Sequence, residues 1–138
     1  MKKKFLDFYF KVATDAADLS YARRLKVGAV IVKNDSILSY GYNGTPGGFD
    51  NNCENIIEDQ LITKPEVIHA EMNAVAKAAK SGYSCDGASM FVTHSPCVEC
   101  AKLISQSGFV RVYYKEAYRS ANGLQLLNKK GIETIHYA

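Results

Sequence analysis

Two short segments of this chain carry side chains that together could hold a catalytic metal ion. His69 and Glu71 are two residues apart, and Cys97 and Cys100 form a Cys-x-x-Cys pair directly after Pro96. One imidazole and two thiolates supply three protein ligands for tetrahedral zinc, which is typical of a catalytic site because a structural zinc usually has four. Glu71 adds a carboxylate that could move protons beside the metal without binding it. The pattern therefore predicts metal-assisted hydrolysis.

The local sequence also predicts how these side chains are oriented. Cysteines three apart at the start of a helix lie on one face, and Pro96 suits such a start because it needs no backbone donor there. The predicted helix at 67–80 carries His69 and Glu71 in its first turn, and residues two apart do not share a helix face. We therefore expect Glu71 to point across the site rather than to join His69 on the metal.

Other interpretations of the cysteines remain open. A thioredoxin-like redox pair would explain the Cys-x-x-Cys spacing but not the His-x-Glu segment. A structural zinc would need a fourth protein ligand such as Cys53 or Cys85. Both of these cysteines are otherwise expected to be small buried hydrophobic residues. A second zinc bound by Cys53, together with His94, is a further alternative.

Composition and charge argue against several classes of protein. The 138 residues are 47% hydrophobic and 22% charged, which is typical of a soluble globular protein, and we expect one domain over 1–138. The basic N-terminal segment lacks the apolar stretch of a signal peptide, and no apolar run is long enough to span a bilayer, so a cytoplasmic protein without membrane partners is expected. A net charge of +3, from 17 basic and 14 acidic residues, provides no polybasic face for nucleic acid.

Hydrophobic periodicity predicts four helices and five strands. The segment 43–65 is rich in glycine, proline and polar residues, and such a long irregular stretch is usually functional or contains short elements. The predicted helices cover residues 4–20, 67–80, 97–106 and 121–130, and the predicted strands cover 27–32, 36–42, 90–93, 110–114 and 132–137.

The order of these elements predicts an α/β fold, a three-layer sandwich with helices flanking a mixed five-stranded sheet. The first two strands are separated by a short turn and form an antiparallel hairpin, whereas helices separate the last three strands and imply parallel pairing. Sites in such sheets lie at the carboxyl ends of parallel strands, near helix N-termini. Both metal-binding segments fall at such positions.

Three segments of the chain resemble those of the deoxycytidylate (dCMP) deaminases of the cytidine deaminase superfamily. His69–Ala74 and Ser95–Lys102 carry the zinc motifs, and Gly41–Asp50 resembles the loop of the dCMP deaminases. The long insert before His69 is unlike the compact tRNA adenosine deaminases. The resemblance implies a cytidine deaminase-like fold and zinc-dependent hydrolysis of dCMP to dUMP and ammonia, which supplies dUMP for thymidylate synthesis.

The resemblance also implies roles for individual residues. It implies that Glu71 is the proton shuttle and that Asn43 contacts the sugar. Backbone groups at Ala70 and near Ser95 are implied to hold the base. The implied ligands of the catalytic zinc are His69, Cys97 and Cys100.

Recognition of a 5′-phosphate calls for arginine or a group of backbone donors. Arg24 lies before the first predicted strand, where similar proteins carry a basic residue, and Tyr118 could close over the nucleotide. Other basic residues that spacing leaves open for the phosphate are Arg23, Lys26, Lys115 and Arg119.

Many relatives are homohexamers that dCTP with magnesium activates and dTTP inhibits, so the resemblance implies allosteric regulation and a homo-oligomer. Two alternatives to dCMP hydrolysis stay open. The first is another zinc nucleobase deaminase, which would act on free cytidine, deoxycytidine or tRNA adenosine. The second is a non-catalytic zinc module that binds nucleic acid, which would need four protein ligands and a basic face.

Overall fold

Four strands follow the first helix in succession, and from the second helix onward helices alternate with strands. The computed structural model describes residues 1–118 and 120–137. Within that part of the chain no helix is both long enough and apolar enough to cross a membrane. The helices are α1 (Lys3–Ala17), α2 (Ala70–Lys80), α3 (Val98–Gln106) and α4 (Asn122–Lys130), and the strands are β1 (Gly28–Lys33), β2 (Ser36–Tyr42), β3 (Glu54–Ile57), β4 (Gln60–Thr63), β5 (Ser89–His94), β6 (Arg111–Glu116) and β7 (Glu133–His136).

Five of the strands form one mixed sheet in the order β2-β1-β5-β6-β7. Strand β1 pairs antiparallel with both β2 and β5, whereas β5, β6 and β7 pair in parallel. The parallel pairs are the strands that α3 and α4 connect, as expected for helical crossovers. The predicted mixed five-stranded α/β fold is therefore confirmed.

Strands β3 and β4 form a separate two-stranded antiparallel hairpin within the segment predicted to be irregular. Its turn places Glu58 and Asp59 in the left-handed backbone region, which aspartate tolerates better than most residues. Hydrophobic alternation does not reveal this hairpin, because Ile56, Ile57 and Ile62 are all exposed. The hairpin carries two residues of the site described below.

The sheet is covered on both faces, which explains why β1 is an uninterrupted apolar run. Successive side chains of a strand point to opposite faces. Ala29 and Ile31 pack in one cluster with residues of α2, α3 and α4, whereas Val30 and Val32 pack in another with Tyr9 and other residues of α1. The central strands are thus fixed between two helical layers, and the ends of those strands position the site.

Gly41 on β2 allows α2 to approach the sheet closely. A Cβ atom at this position would overlap the Ala70 carbonyl group and would lie 2.6 Å from the Ala74 backbone nitrogen. Ala70 and Ala74 are themselves completely buried. The small residues of this contact set the depth at which the first turn of α2, and with it Glu71, sits against the sheet.

Substituting Gly41→Ala should therefore push α2 away from β2. Overpacking of this kind destabilises a fold by about 1–3 kcal/mol, and the displacement of α2 should also lower the activity proposed below. Urea denaturation measures the first effect. Gly47→Ala is the matched control, because a Cβ at Gly47 meets no atom within 4 Å. Equal stability of the two variants would contradict the close-packing argument.

Candidate active site

The first metal-binding segment begins α2. His69 is the N-cap residue of this helix, with an extended backbone (φ −69°, ψ 155°), and Glu71 lies in the first turn. The prediction that both residues lie within the first turn was therefore wrong for His69. An N-cap residue has non-helical backbone angles. The direction of the His69 side chain therefore depends on the segment that precedes it and not on the helix alone. Two backbone hydrogen bonds between Gly44 and Ile68, of 3.1 and 2.8 Å, hold that preceding chain in place.

The second segment begins α3 in the same manner. Cys97 is the N-cap residue (φ −71°, ψ 172°), and Cys100 lies one turn further on the helix and is completely buried. Pro96 leads into this start from the end of β5. On α4, Gly123 lies so close to the Pro96 and Cys97 backbone that a Cβ atom would overlap the Pro96 carbonyl oxygen. The turn that presents Cys97 is thus packed from behind by α4.

The three predicted ligands come together at one point. The Nδ1 atom of His69 lies 3.3 Å from Cys100 Sγ and 3.5 Å from Cys97 Sγ. All three donor atoms lie within 4.8 Å of one another. Tetrahedral zinc with bonds of about 2.1 Å to nitrogen and 2.3 Å to sulfur places such atoms about 3.6 Å apart, so the donor set fits zinc in both chemistry and spacing.

The set contains three protein donors and no more. Over residues 1–118 and 120–137, no fourth His, Cys, Asp or Glu joins the group. All four cysteines are free thiols, so Cys97 and Cys100 do not form a disulfide. A structural zinc with four protein ligands therefore finds no support in the described residues, and the three-ligand arrangement is the one typical of catalytic zinc.

The two thiols differ in how easily they ionise. Hydrogen bonds from the Cys100 thiol and from the His69 imidazole lower the pKa of Cys97 to about 3, although burial opposes this shift. The same hydrogen bond to Cys97, together with burial, raises the pKa of Cys100. Cys97 is thus the thiol that ionises more readily, and a divalent cation bound between the two cysteines would favour the thiolate form of both.

Glu71 is a buried acid beside this group. Its side chain is nearly inaccessible, with 4% of the residue surface exposed. Burial raises the pKa of its carboxyl to about 7, although its own backbone N–H and the charge of His69 act in the opposite direction. A carboxyl with such a pKa can accept and release protons near neutral pH, as a general acid and base must.

One cleft brings these groups together with the predicted substrate-binding residues. The cleft encloses about 700 Å³, including the space at its solvent-open mouth. Cys100 does not line the cleft itself, but its Sγ lies 3.3 Å from Nδ1 of His69, which does. The residues predicted from sequence that line the cleft are Arg24, Asn43, His69, Ala70, Glu71, Ser95, Cys97 and Tyr118.

The sequence itself matches a known family over most of its length. Residues 3–116 fit the profile of the cytidine and deoxycytidylate deaminase zinc-binding region. The chain belongs to this family. Two relatives are the deoxycytidylate deaminases of Enterobacteria phages T2 and T4, which are 38% and 36% identical to the chain, cover 80% of it, and are themselves covered over 80% and 78% of their lengths.

A solved structure agrees with this family assignment. The dCMP deaminase of cyanophage S-TIM5, crystallised in complex with dCMP and dUMP, is 46% identical to the chain and superimposes with a TM-score of 0.94. The alignment covers 99% of both chains. This deaminase therefore shares its fold with a relative that was crystallised with nucleotides.

Within the deaminase cleft, the Asn43 side chain is engaged in holding a loop. Its Oδ1 atom accepts a 2.9 Å hydrogen bond from the Val27 backbone, and its Nδ2 atom donates a 2.8 Å hydrogen bond to the Leu25 carbonyl oxygen. The Ser20 hydroxyl donates to the Asn43 carbonyl oxygen at 2.6 Å. Asn43 thus shapes the loop that carries Arg24, whereas its contact with a sugar stays a prediction.

Ser95 and Tyr118 meet at the opposite wall of the cleft. The Tyr118 backbone N–H donates a 2.6 Å hydrogen bond to Ser95 Oγ, and the Ser95 N–H donates to the Glu116 carbonyl oxygen at 2.9 Å. These bonds tie the segment after β6 to the segment after β5. Tyr118 is half-buried and lines the cleft, whereas its closure over a nucleotide stays a prediction.

Among the basic residues considered for the phosphate, Arg24 alone lines the cleft in the part of the chain that the structure describes. The Arg23 guanidinium turns to Asn52 and Glu54 instead. The Lys115 ammonium lies over the Phe10 and Tyr137 rings, against α1. Lys26 is exposed outside the cleft, and Arg119 lies outside the described residues.

The cleft is also lined by residues for which the sequence predicted either an alternative role or none. Cys53 and His94 both line the cleft, but they form no group of three ligands with other described residues, so a second zinc has no ligand set there. Cys85 lies in the core cluster instead. Glu54 and Thr63 line the cleft as well, and no local pattern in the sequence indicates them because they are brought there by the β3–β4 hairpin.

Proposed function

We propose that this chain is a single deaminase domain that hydrolyses dCMP to dUMP and ammonia. The observation that carries the proposal is the presence of a His-Cys-Cys donor set, a buried carboxyl with a pKa near 7 and Arg24 at one cleft. The relative from cyanophage S-TIM5 supports the choice of substrate, because it is 46% identical and was crystallised with dCMP and dUMP.

In this proposal His69, Cys97 and Cys100 hold the zinc ion. A zinc ion in that position supplies Lewis-acid activation of water for attack on C4 of the cytosine. Glu71 accepts the proton that water loses and delivers a proton to the ring nitrogen, N3. The same carboxyl then carries the proton of the newly formed C4 hydroxyl to the departing amine, so that water and dCMP yield dUMP and ammonia. Backbone groups at Ala70 and Ser95 hold the base in register with Glu71.

An ammonia-release assay tests the proposed substrate directly. The zinc-loaded protein is compared on dCMP, CMP, deoxycytidine and an adenosine-bearing RNA, each with and without dCTP and magnesium. The proposal expects the highest kcat/KM with dCMP. Faster turnover of deoxycytidine would indicate a nucleoside deaminase, and turnover of the RNA alone would indicate a tRNA-type deaminase. The absence of turnover on all four substrates by zinc-loaded protein would overturn the proposal.

Arg24 is proposed to bind the 5′-phosphate. The expected result for Arg24→Ala is a fall of about 10–100-fold in kcat/KM for dCMP, because a hydrogen bond to a charged group contributes about 1.5–3 kcal/mol. The corresponding fall for deoxycytidine should be much smaller. Arg111→Ala is the control, since this exposed arginine pairs with Glu133 at 2.9 Å outside the cleft. Equal losses on both substrates would place the phosphate elsewhere.

The resemblance of the chain to the dCMP deaminases supports a homohexamer that dCTP regulates together with magnesium. A second cleft borders the glycine-rich loop and is lined by Asn51, Asn73 and Lys77 among other residues, which suits an anionic nucleotide. Sedimentation of the protein with and without dCTP and dTTP measures both the assembly and its response.

The reduced Cys-x-x-Cys ligand pair suits a reducing compartment such as the cytoplasm.

A further inference from the structure

A buried carboxylate holds the backbone of the loop that carries Arg24. Glu54 is only 1% exposed, and its Oε2 atom accepts hydrogen bonds from the backbone N–H groups of Arg23 at 2.9 Å and of Arg24 at 3.1 Å. Two adjacent N–H groups that converge on one carboxylate oxygen fix the orientation of the peptide unit between them. Glu54 comes from a segment 30 residues further along the chain.

The residue opposite Glu54 in the hairpin holds the other end of Arg24. Thr63 pairs with Glu54 across β3 and β4, and its Oγ1 atom accepts a 2.9 Å hydrogen bond from Nη1 of the Arg24 guanidinium. This bond uses one edge of the guanidinium. The Nε and Nη2 groups form the other edge, which is the fork that binds phosphate oxygens in bidentate fashion.

The charge on Glu54 is costly to bury and therefore calls for an explanation. Burial raises the pKa of the Glu54 carboxyl, but the backbone N–H groups of Arg24 and Arg23 and the Arg23 guanidinium outweigh burial and hold that pKa below its usual value. The Arg23 Nε atom lies 3.5 Å from Glu54 Oε1, and Oε1 has no hydrogen-bond partner in the described residues. The Arg23 side chain is half exposed, so this ion pair adds little stability, whereas a fixed loop geometry is a direct consequence of the backbone hydrogen bonds to Glu54.

We infer that Glu54 and Thr63 are positioning residues that hold Arg24 from both ends and so set the preference of the cleft for a nucleoside monophosphate over a nucleoside. The inference rests on the proposed function, because it takes Arg24 as the phosphate ligand. Neither residue is required to touch the substrate. Their effect is to present the guanidinium in one orientation, so that less conformational entropy is lost when the phosphate binds.

The test compares equilibrium binding of dUMP and of deoxyuridine by calorimetry, with zinc-loaded wild-type protein and two variants. Thr63→Val keeps the shape of an exposed side chain and removes the acceptor for Arg24. Glu54→Gln keeps the shape and removes the charge. Each variant should lower the ratio of dUMP affinity to deoxyuridine affinity by roughly threefold to tenfold, as the loss of one hydrogen bond predicts. Amide hydrogen exchange at Arg23 and Arg24 should also accelerate in Glu54→Gln.

Matched control variants distinguish a loss of Arg24 positioning from a general destabilisation of the protein. Thr134→Val removes a 2.9 Å hydrogen bond to Asn128 between exposed side chains outside the cleft, and Glu133→Gln removes a surface charge. Both should keep the wild-type affinity ratio. If Thr63→Val and Glu54→Gln also keep that ratio while Arg24→Ala lowers it, the positioning role is wrong and the phosphate role of Arg24 stands. Equal weakening of nucleotide and nucleoside in the two variants overturns the inference as well. A wild-type protein that binds dUMP no more tightly than deoxyuridine overturns the phosphate site itself, and the inference with it.

Discussion

Glu71→Gln is expected to retain zinc and to slow ammonia release from dCMP by about 10²–10⁴-fold. Glutamine has nearly the same shape as the buried glutamate, but it cannot accept a proton from water or deliver one to N3. The three donor atoms of the metal site belong to other residues, so the metal should stay. Steady-state kinetics measures the rate, and atomic absorption measures the zinc content of the same sample.

Glu99→Gln is the control for this prediction. Glu99 lies in the first turn of α3 beside the metal-binding segment, but it is exposed and pairs with Lys102 at 3.2 Å. It should keep both its zinc and its turnover. A Glu71→Gln variant with near-normal turnover would show that another group moves the proton. A variant that lost its zinc would show that the carboxyl also supports the metal site.

Cys97→Ala should lose the zinc ion and a large part of the thermal stability together. A ligand that binds only the folded state stabilises it by about 2.7 kcal/mol when the free ligand concentration is 100 times the dissociation constant. For a chain of this size the loss corresponds to a fall of roughly 10 °C in the unfolding temperature. Metal analysis and thermal unfolding of the purified variant measure the two effects.

Two comparisons show whether that loss comes from the metal. Wild-type protein treated with a chelator should unfold near the temperature of Cys97→Ala, because metal binding and folding are coupled. Cys85→Ala removes a different buried thiol, which is not among the predicted metal ligands, and should keep its full zinc content. A Cys97→Ala protein that binds one zinc ion as tightly as the wild type does would contradict the proposed ligand set.

The predicted fold was confirmed where local periodicity carries the information. Strand β1 is an uninterrupted apolar run and is buried on both faces, and the helices between β5, β6 and β7 impose the parallel pairing that the structure shows. Boundaries were less accurate. His69 caps α2 instead of lying within it, because the residue before it, Ile68, forms an antiparallel bridge with Gly44 and so keeps the chain out of the helix up to that point.

The β3–β4 hairpin is an element that the sequence pattern did not predict. Its strands have four residues each, and three of its isoleucines face solvent, so the alternation that marks a half-buried strand is missing. Pairing within the hairpin, and its contacts with the loop before β1, create this element. None of those contacts is encoded in the spacing of neighbouring residues.

By itself, the sequence determined the chemistry of the site. The His-x-Glu and Pro-Cys-x-x-Cys segments each place their donors at a helix start, and that geometry depends on residues only a few positions apart. Only the tertiary structure decided which arginine faces the cleft and what holds it there. Arg24 is oriented by Glu54 and Thr63, which follow it by 30 and 39 residues. Residues so far apart in the sequence come into contact only when the intervening loops close during folding. The spacing of neighbouring residues reveals neither the entropic cost nor the geometry of that loop closure.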